Sequence, residues 1–140
     1  MGAAAIFRAI HSLDVKVDAI IVEAVFDKLL NTVENRFKAM GVPVFPSAHL
    51  LVFWGGLQTE SNGFDHNPVD YAKVVNVPIL FLHGENDTKA RLFEARKVYE
   101  SIPVADKRLS IFPDTAHELH LARFPEKWKN EVMGFLNMHL

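Results

Sequence analysis

The sequence predicts an α/β fold in which three parallel strands are separated by helices, and three observations support this prediction. Residues 77–82 form an unbroken apolar run that leads into Gly84 and an acidic turn, which is typical of a strand buried on both faces. Residues 18–26 and 108–112 are two further strand-length segments rich in apolar residues. The segments between them have helical patterns and are long enough for right-handed crossovers, so the strands are expected to be parallel. We therefore place strands at about 18–26, 77–83 and 108–112.

Apolar residues recur at helical spacing between and beyond these strands. The second helix is expected to begin at Asp27 and to end before Gly41, and a short third helix is expected to stop at Gly55 and Gly56. The apolar stripe of the second helix, which should face the core, consists of Leu29, Leu30, Val33 and Phe37. The complete set of predicted helices is 1–13, 27–40, 47–54, 68–75, 89–101 and 126–138.

Composition limits the size and the partners of the protein. One domain is expected over residues 1–140, because 49% of the residues are hydrophobic and 11% are aromatic, which suffices for one core. The formal net charge of −2 provides no basic surface for nucleic acid or an anionic membrane, so the expected partner is a small molecule. The absence of cysteine excludes disulfides and thiolate chemistry and fits a cytoplasmic protein. No cofactor is expected.

An acid and an imidazole follow two of the predicted strands. Asp87 comes just after the strand at 77–83, and His117 follows the strand at 108–112 in the same way. Ligands of open α/β sheets bind outside the carboxyl ends of the strands, so both side chains should face one crevice. Together they are the acid and base that a nucleophilic triad requires. The alternative is that Asp87 caps the next helix and His117 is an ordinary loop residue.

Three segments around these strand ends have a combined pattern, namely NPVDYAK at 67–73, VPILFLHGEND at 77–87 and IFPDTAH at 111–117. They resemble the lead-in, penultimate strand, catalytic-acid turn, last strand and catalytic-histidine loop of the α/β-hydrolase family, in its serine-peptidase-like and esterase-like branch. The resemblance covers residues 2–140 and implies the C-terminal part of a three-layer α/β-hydrolase fold, with the irregular segment 42–76 as its cap. It also implies that Asp87 is the triad acid and that His117 is the triad base.

The nucleophile elbow of that family, Gly-x-Ser-x-Gly, does not occur in the sequence. Residues 1–4 resemble only the end of the elbow and the start of its helix, so the resemblance implies a nucleophilic serine that would precede Met1. The serines that lie outside such a frame are Ser12, Ser47, Ser61, Ser101 and Ser110. Residues 114–116 also depart from the glycines that the family prefers, which is expected to stiffen the loop before His117.

Two other histidines suggest weaker alternatives. His117 and His120 flank Glu118, but a zinc-protease helix needs His-Glu-x-x-His and a third ligand, so no metal site is expected. His83, at the end of its strand, is expected to be a buried and hydrogen-bonded histidine rather than a proton shuttle.

Trp54 and Phe53 are candidate substrate-binding residues. With Leu50 and Leu51 they are predicted to line an acyl pocket under the cap. The alternative is ordinary core packing of an amphipathic helix.

Two functions therefore remain. The first is hydrolysis of an ester, amide or related acyl bond by a serine hydrolase of which this chain supplies the acid and the base. The second is a catalytically inert truncated product, or a structural or binding module that keeps the fold.

Self-association is a further expectation. The resemblance implies that the strand at 18–26 lacks a neighbour, and an open apolar edge is a template for pairing. A homodimer through this edge is therefore expected, with Ile6, Phe7 and Ile10 of the first helix adding to the contact.

Overall fold

The structure of the chain, a computed structural model, describes residues 2–13, 15–59 and 61–140. Its sheet consists of β1 (Ile20–Glu23), β2 (Ile79–Gly84) and β3 (Lys107–Phe112). The strands lie in the order β1-β2-β3, and both neighbouring pairs are parallel. The predicted α/β class, the three strands and their parallel pairing are thus confirmed.

Seven α-helices connect and cover the strands in the described part of the chain. They are α1 (Gly2–Leu13), α2 (Leu29–Ala39), α3 (Ser47–Gln58), α4 (Pro68–Tyr71), α5 (Leu92–Ser101), α6 (His120–Arg123) and α7 (Pro125–His139). Two 3-10 turns, Gly63–Asp65 and Ala72–Val74, lie on either side of α4. The predicted start of the first helix at Met1 lies outside the described residues.

The central strand β2 is buried over its whole length, as its unbroken apolar sequence predicts. Ile79 and Phe81 pack into a core that also contains residues of α1 and α5, such as Phe7 and Val98. The intervening leucines of β2 pack on the other face against α7. Because successive side chains of a strand point to opposite faces, β2 joins both cores and makes the fold three-layered.

The first strand is shorter than predicted. It ends at Glu23, because Ala24 adopts a positive φ of 49° and leaves the extended conformation. The Ala24 N–H still donates to the carbonyl oxygen of Leu82, so the chain turns away while attached to β2. The predicted strand at 18–26 was therefore too long on both sides.

The helices differ from the predictions in several places. The third helix continues through Gly55 and Gly56 to Gln58. The glycine at position 56 serves the packing of the chain that follows the helix, because a Cβ there would lie 2.6 Å from the Ser61 carbonyl oxygen. The helix after Asp87 begins at Leu92 and not near residue 89. Helix α6 lies in a segment for which no helix was predicted.

The face of α2 that is most buried is polar. Thr32 and Asn35 are buried, whereas the four residues of the predicted apolar stripe are only half-buried. Thr32 Oγ1 donates to the Lys89 carbonyl oxygen at 3.0 Å, and Asn35 Nδ2 donates to Glu94 Oε1 at 2.7 Å. These two bonds fasten α2 to the segment that follows β2, so the stripe prediction for this helix was wrong.

The irregular segment predicted at 42–76 contains α3, α4 and the two 3-10 turns, apart from Glu60, which is outside the described residues. Its role as a cap stays a prediction. In the described residues, no helix is both long and apolar enough to cross a membrane.

Candidate active site

Asp87 lies in the tight turn that follows β2, and its carboxylate is fixed by the backbone. Its Oδ1 atom accepts hydrogen bonds from the N–H groups of Lys89 and Ala90, at 2.8 and 2.9 Å. The side chain is fully buried. These bonds close a local turn over residues 87–90, and α5 begins after it at Leu92.

The loop that carries His117 starts at the end of β3. The chain turns at Asp114, which has a φ of 52°, a conformation that Asp tolerates better than most residues. Thr115 is buried, and its hydroxyl donates to the Phe112 carbonyl oxygen at 2.6 Å. The Asn86 N–H donates to the Thr115 carbonyl oxygen at 2.8 Å. The loop is thus attached to the turn that contains Asp87.

The two predicted site residues meet at this junction. His117 Nδ1 lies 2.7 Å from Asp87 Oδ2, which is the distance of a strong hydrogen bond to a carboxylate. Since the carboxylate can only accept, His117 donates through its Nδ1–H, and in the neutral ring Nε2 then carries the lone pair. The side chain of His117 is 36% exposed, so the ring is accessible to a proton donor that approaches Nε2. The predicted proximity of Asp87 and His117 is confirmed.

His117 faces an apolar cleft of about 270 Å³. The other residues that line this cleft are Ala24, Phe26, Leu29, Thr32, Val33, Arg36, Phe37, Leu51 and Ala90. Leu29, Val33 and Leu51 also line a second cleft of about 370 Å³, which extends toward Arg8 and His66. The shared residues make the two clefts adjoin, so an extended apolar group has space beside the imidazole.

The two predicted substrate-binding aromatics lie away from this cleft. Trp54 is 59% exposed and Phe53 is 49% exposed, and their rings contact each other at 5.7 Å. Phe53 lines a separate depression with Leu57 and Phe64. On α3 it is Leu51 that faces His117.

His83 is buried and hydrogen-bonded, as predicted. Its Nε2 atom lies 2.9 Å from the Ala90 carbonyl oxygen. Burial lowers the pKa of His83, and the hydrogen bond to Ala90 and the nearby Asp87 offset only part of this effect. The ring is therefore neutral at pH 7.

His120 is buried below the His117 loop. Its ring contacts Phe112 at 4.7 Å between centroids, and its Nδ1 atom lies 3.9 Å from Glu23 Oε2. Glu23 also accepts a hydrogen bond from the Trp128 indole N–H. Among the described residues, no group of three or more His, Asp or Glu side chains is arranged to hold a metal ion.

Three of the serines form hydrogen bonds elsewhere. Ser12 pairs with His11, Ser61 with Thr59, and Ser101 with the carbonyl oxygen of Val98. Within the described residues, no serine hydroxyl is hydrogen-bonded to His117.

Several contributions to the site were not visible in the sequence pattern. Thr32 holds the Asp87 turn, Gly84 permits the close approach of the His117 loop, and Ala24 lines the cleft. The glycine at the end of the strand was the one available signal, because a strand glycine often marks a site where another backbone approaches closely.

Part of the chain is similar in sequence to known proteins. The family model of serine aminopeptidases, S33, matches residues 67–123, which include Asp87 and His117. A protein of Bacillus subtilis (strain 168) named uncharacterized peptidase YuxL is 28% identical over 82 residues, which are 55% of this chain and 12% of that protein.

Two solved structures show the same fold. The Pyrococcus furiosus esterase Pf2001 has a TM-score of 0.69 and 20% identity, over 98% of this chain and 50% of that chain. The Pyrococcus horikoshii acylaminoacyl peptidase has a TM-score of 0.70 and 22% identity, over 99% of this chain and 22% of that chain. The chain thus spans about half the length of the esterase and a smaller share of both peptidases. The chain thus has the fold of the α/β-hydrolases, and its residues 67–123 are similar to the serine aminopeptidase family.

Proposed function

We propose that this chain supplies the acid and the base of a Ser-His-Asp triad that hydrolyses an ester, amide or related acyl bond. The observation that carries the proposal is the 2.7 Å contact between Asp87 Oδ2 and His117 Nδ1 beside an apolar cleft. The nucleophilic serine would come from polypeptide outside these 140 residues, because none of their serines lies in a Gly-x-Ser-x-Gly frame.

In this mechanism His117 transfers the proton, and Asp87 orients the imidazole ring of His117. The serine hydroxyl gives its proton to His117 Nε2 as its oxygen bonds to the acyl carbon, and His117 then gives that proton to the leaving group. A water molecule then attacks the acyl-serine with the same proton transfers through His117, which releases the carboxylic acid product and restores the serine hydroxyl. Asp87 accepts the hydrogen bond from the Nδ1–H of His117, so that Nε2 is the atom that accepts the proton.

The proposed substrate is a small molecule with an apolar acyl group. The cleft beside His117 is lined mainly by aliphatic and aromatic side chains, and it adjoins the second cleft through Leu29, Val33 and Leu51. Leu51→Trp would narrow the passage, so it is expected to reduce hydrolysis of long acyl esters more than that of acetyl esters. Trp54→Ala, on the exposed side of α3, is the matched control and should leave this ratio unchanged.

The second candidate is an inert module. The observation that favours it is the lack of an elbow serine in the sequence. We further propose, from the cysteine-free sequence, a cytoplasmic location and, from the open edge of β1, a homodimer.

Fluorophosphonate labelling tests the proposal. The 140-residue chain alone should be neither labelled nor active on esters. If the codons upstream of Met1 encode an in-frame Gly-x-Ser, the longer protein should be labelled and active, and His117→Gln should abolish both. Ser110→Ala serves as the control. Stoichiometric labelling of any serine in the 140-residue chain would contradict the proposal, and an in-frame stop codon upstream would favour the inert module.

A further inference from the structure

A buried histidine that takes no part in the proposed proton transfer lies next to the Asp87 turn. His83 has no exposed surface, and its Nε2 atom is 2.9 Å from the Ala90 carbonyl oxygen. A carbonyl oxygen only accepts, so the hydrogen bond requires the proton on Nε2. Because burial keeps the ring neutral, Nδ1 then carries only a lone pair, and it is buried with no hydrogen-bond partner in the described part of the chain.

Ala90 connects His83 to the carboxylate of Asp87. The Ala90 carbonyl accepts from His83, and the Ala90 N–H donates to Asp87 Oδ1 at 2.9 Å. Lys89 is bonded in the same way. Its carbonyl oxygen accepts from Thr32 Oγ1 at 3.0 Å, and its N–H donates to Asp87 Oδ1 at 2.8 Å. Lys89 and Ala90 are thus each held through the carbonyl oxygen while the N–H groups of both residues fix Asp87, and the peptide group between them is bonded at both its oxygen and its N–H.

We propose that His83 is a positioning residue for Asp87. By donating from Nε2 to the Ala90 carbonyl oxygen, His83 fixes the backbone of Ala90. The N–H of Ala90 in turn orients the Asp87 carboxylate toward His117. This inference rests on the proposed function, because it assigns the acid to Asp87. A neutral ring suits the role, since it adds no positive charge beside the imidazole that gains a proton.

Two amide variants separate positioning from packing. In His83→Gln the side-chain amide nitrogen takes the position of Nε2, so the donor to Ala90 is kept. In His83→Asn the amide nitrogen takes the position of Nδ1, so this donor is lost. Asn is one methylene smaller than Gln, so a purely structural role would speed exchange throughout β2 in His83→Asn and not only at Lys89 and Ala90.

Amide hydrogen exchange on the 140-residue chain provides the measurement. In His83→Asn, the amides of Lys89 and Ala90 should exchange about tenfold faster than in the unsubstituted chain, as expected when one hydrogen bond is lost. In His83→Gln their exchange should stay close to that of the unsubstituted chain. Equal protection in the two variants would overturn the inference.

Nitrogen-15 NMR of the unsubstituted chain tests the same idea when a variant fails to fold. The ring of His83 should have its proton on Nε2, and a proton on Nδ1 would overturn the inference. The same spectra report the proton between His117 Nδ1 and Asp87 separately. If that proton were absent while the His83 results held, the triad proposal would fail and the positioning of Asp87 by His83 would stand.

Discussion

Gly84, the last residue of β2, lies directly against the Ala116 carbonyl of the loop that carries His117. A Cβ on Gly84 would be 2.7 Å from the Ala116 carbonyl oxygen and 2.7 Å from the Thr115 carbonyl oxygen. The Thr115 carbonyl oxygen accepts from the Asn86 N–H in the turn after β2, and the Ala116 carbonyl oxygen accepts from the Glu118 N–H, so neither is free to move away. The hydrogen at this position is therefore what allows the loop to sit on the strand end.

Gly84→Ala is expected to displace the His117 loop and to destabilise the chain by about 1–3 kcal/mol, the usual cost of overpacking. The His117 Nδ1 proton bonded to Asp87 should shift or disappear in the NMR spectrum. The control is Gly134→Ala in α7, where an added Cβ meets nothing within 4 Å. This helix substitution should stabilise the chain by up to about 1 kcal/mol. An unchanged His117 resonance in Gly84→Ala would contradict the prediction.

Asp87→Asn should reverse the His117 tautomer while the fold persists. The Asn amide can donate to Nδ1, so the ring proton would move to Nε2 and the base would lose its lone pair there. In a longer protein that contains the nucleophile, hydrolysis should fall on the order of 10⁴-fold. Asp114→Asn is the matched control, because Asn also tolerates the positive φ at this exposed position. Activity above a tenth of the starting level in Asp87→Asn would remove Asp87 from the triad.

Stability should decrease as the pH falls below about 6.5. Burial lowers the pKa of both His66 and His83 from 6.5, and for His66 the charge of Arg8 adds to the effect. The unfolded chain then binds more protons than the folded chain in the range between the lowered pKa values and 6.5, so acid favours unfolding there. Denaturant unfolding between pH 7.5 and 5.5 measures this, and His66→Gln should reduce the decrease.

Glu94 should act in the opposite direction. Burial raises the pKa of Glu94 from 4.5, although the hydrogen bond from Asn35 offsets part of the shift. Above pH 4.5 the folded chain therefore retains this proton up to a higher pH than the unfolded chain does. The stabilising contribution of Glu94 to the folded state is lost as the pH rises through its raised pKa. Glu94→Gln removes this opposing effect and should steepen the acid-induced decrease. A shallower decrease in this variant would show that the sign is wrong.

The 140-residue chain, expressed by itself, should form a dimer through β1. This strand is at one edge of the sheet in the described residues, and its Ile20 and Ala24 N–H groups point to β2. By the alternation of a strand, the N–H groups of Ile21 and Glu23 point to the open edge. Two copies related by a two-fold axis would satisfy these groups, and light scattering at micromolar concentration should give twice the monomer mass.

Ile21→Pro tests this edge with a single substitution. Proline removes one donor on the open side and leaves the hydrogen bonds between β1 and β2 in place. The variant should be monomeric, whereas Ile21→Val should remain dimeric. A dimer that persists in Ile21→Pro would place the contact elsewhere.

The sequence predicted the strands and the position of the acid and the base because their signals are local. An unbroken apolar run marks a doubly buried strand, and a turn after each of two parallel strands brings Asp87 and His117 to one sheet edge. The buried face of α2 was predicted wrongly because Thr32 and Asn35 satisfy partners that are 57 and 59 residues away in sequence. The spacing of apolar residues along a helix does not indicate hydrogen-bond partners that are distant in sequence. Buried polar residues such as these two therefore interrupt the apolar pattern that would mark the buried face.

By itself, the sequence determined the α/β class, the parallel order of the strands and which two side chains end beside each other. Only the tertiary structure decided the 2.7 Å bond between them, the role of Gly84 under the His117 loop and the chain of bonds from His83 through Ala90 to Asp87. The physical reason is that strand formation depends on the burial of neighbouring residues. Hydrogen-bond geometry, in contrast, depends on the distance between groups from different elements, which is fixed only when the core packs.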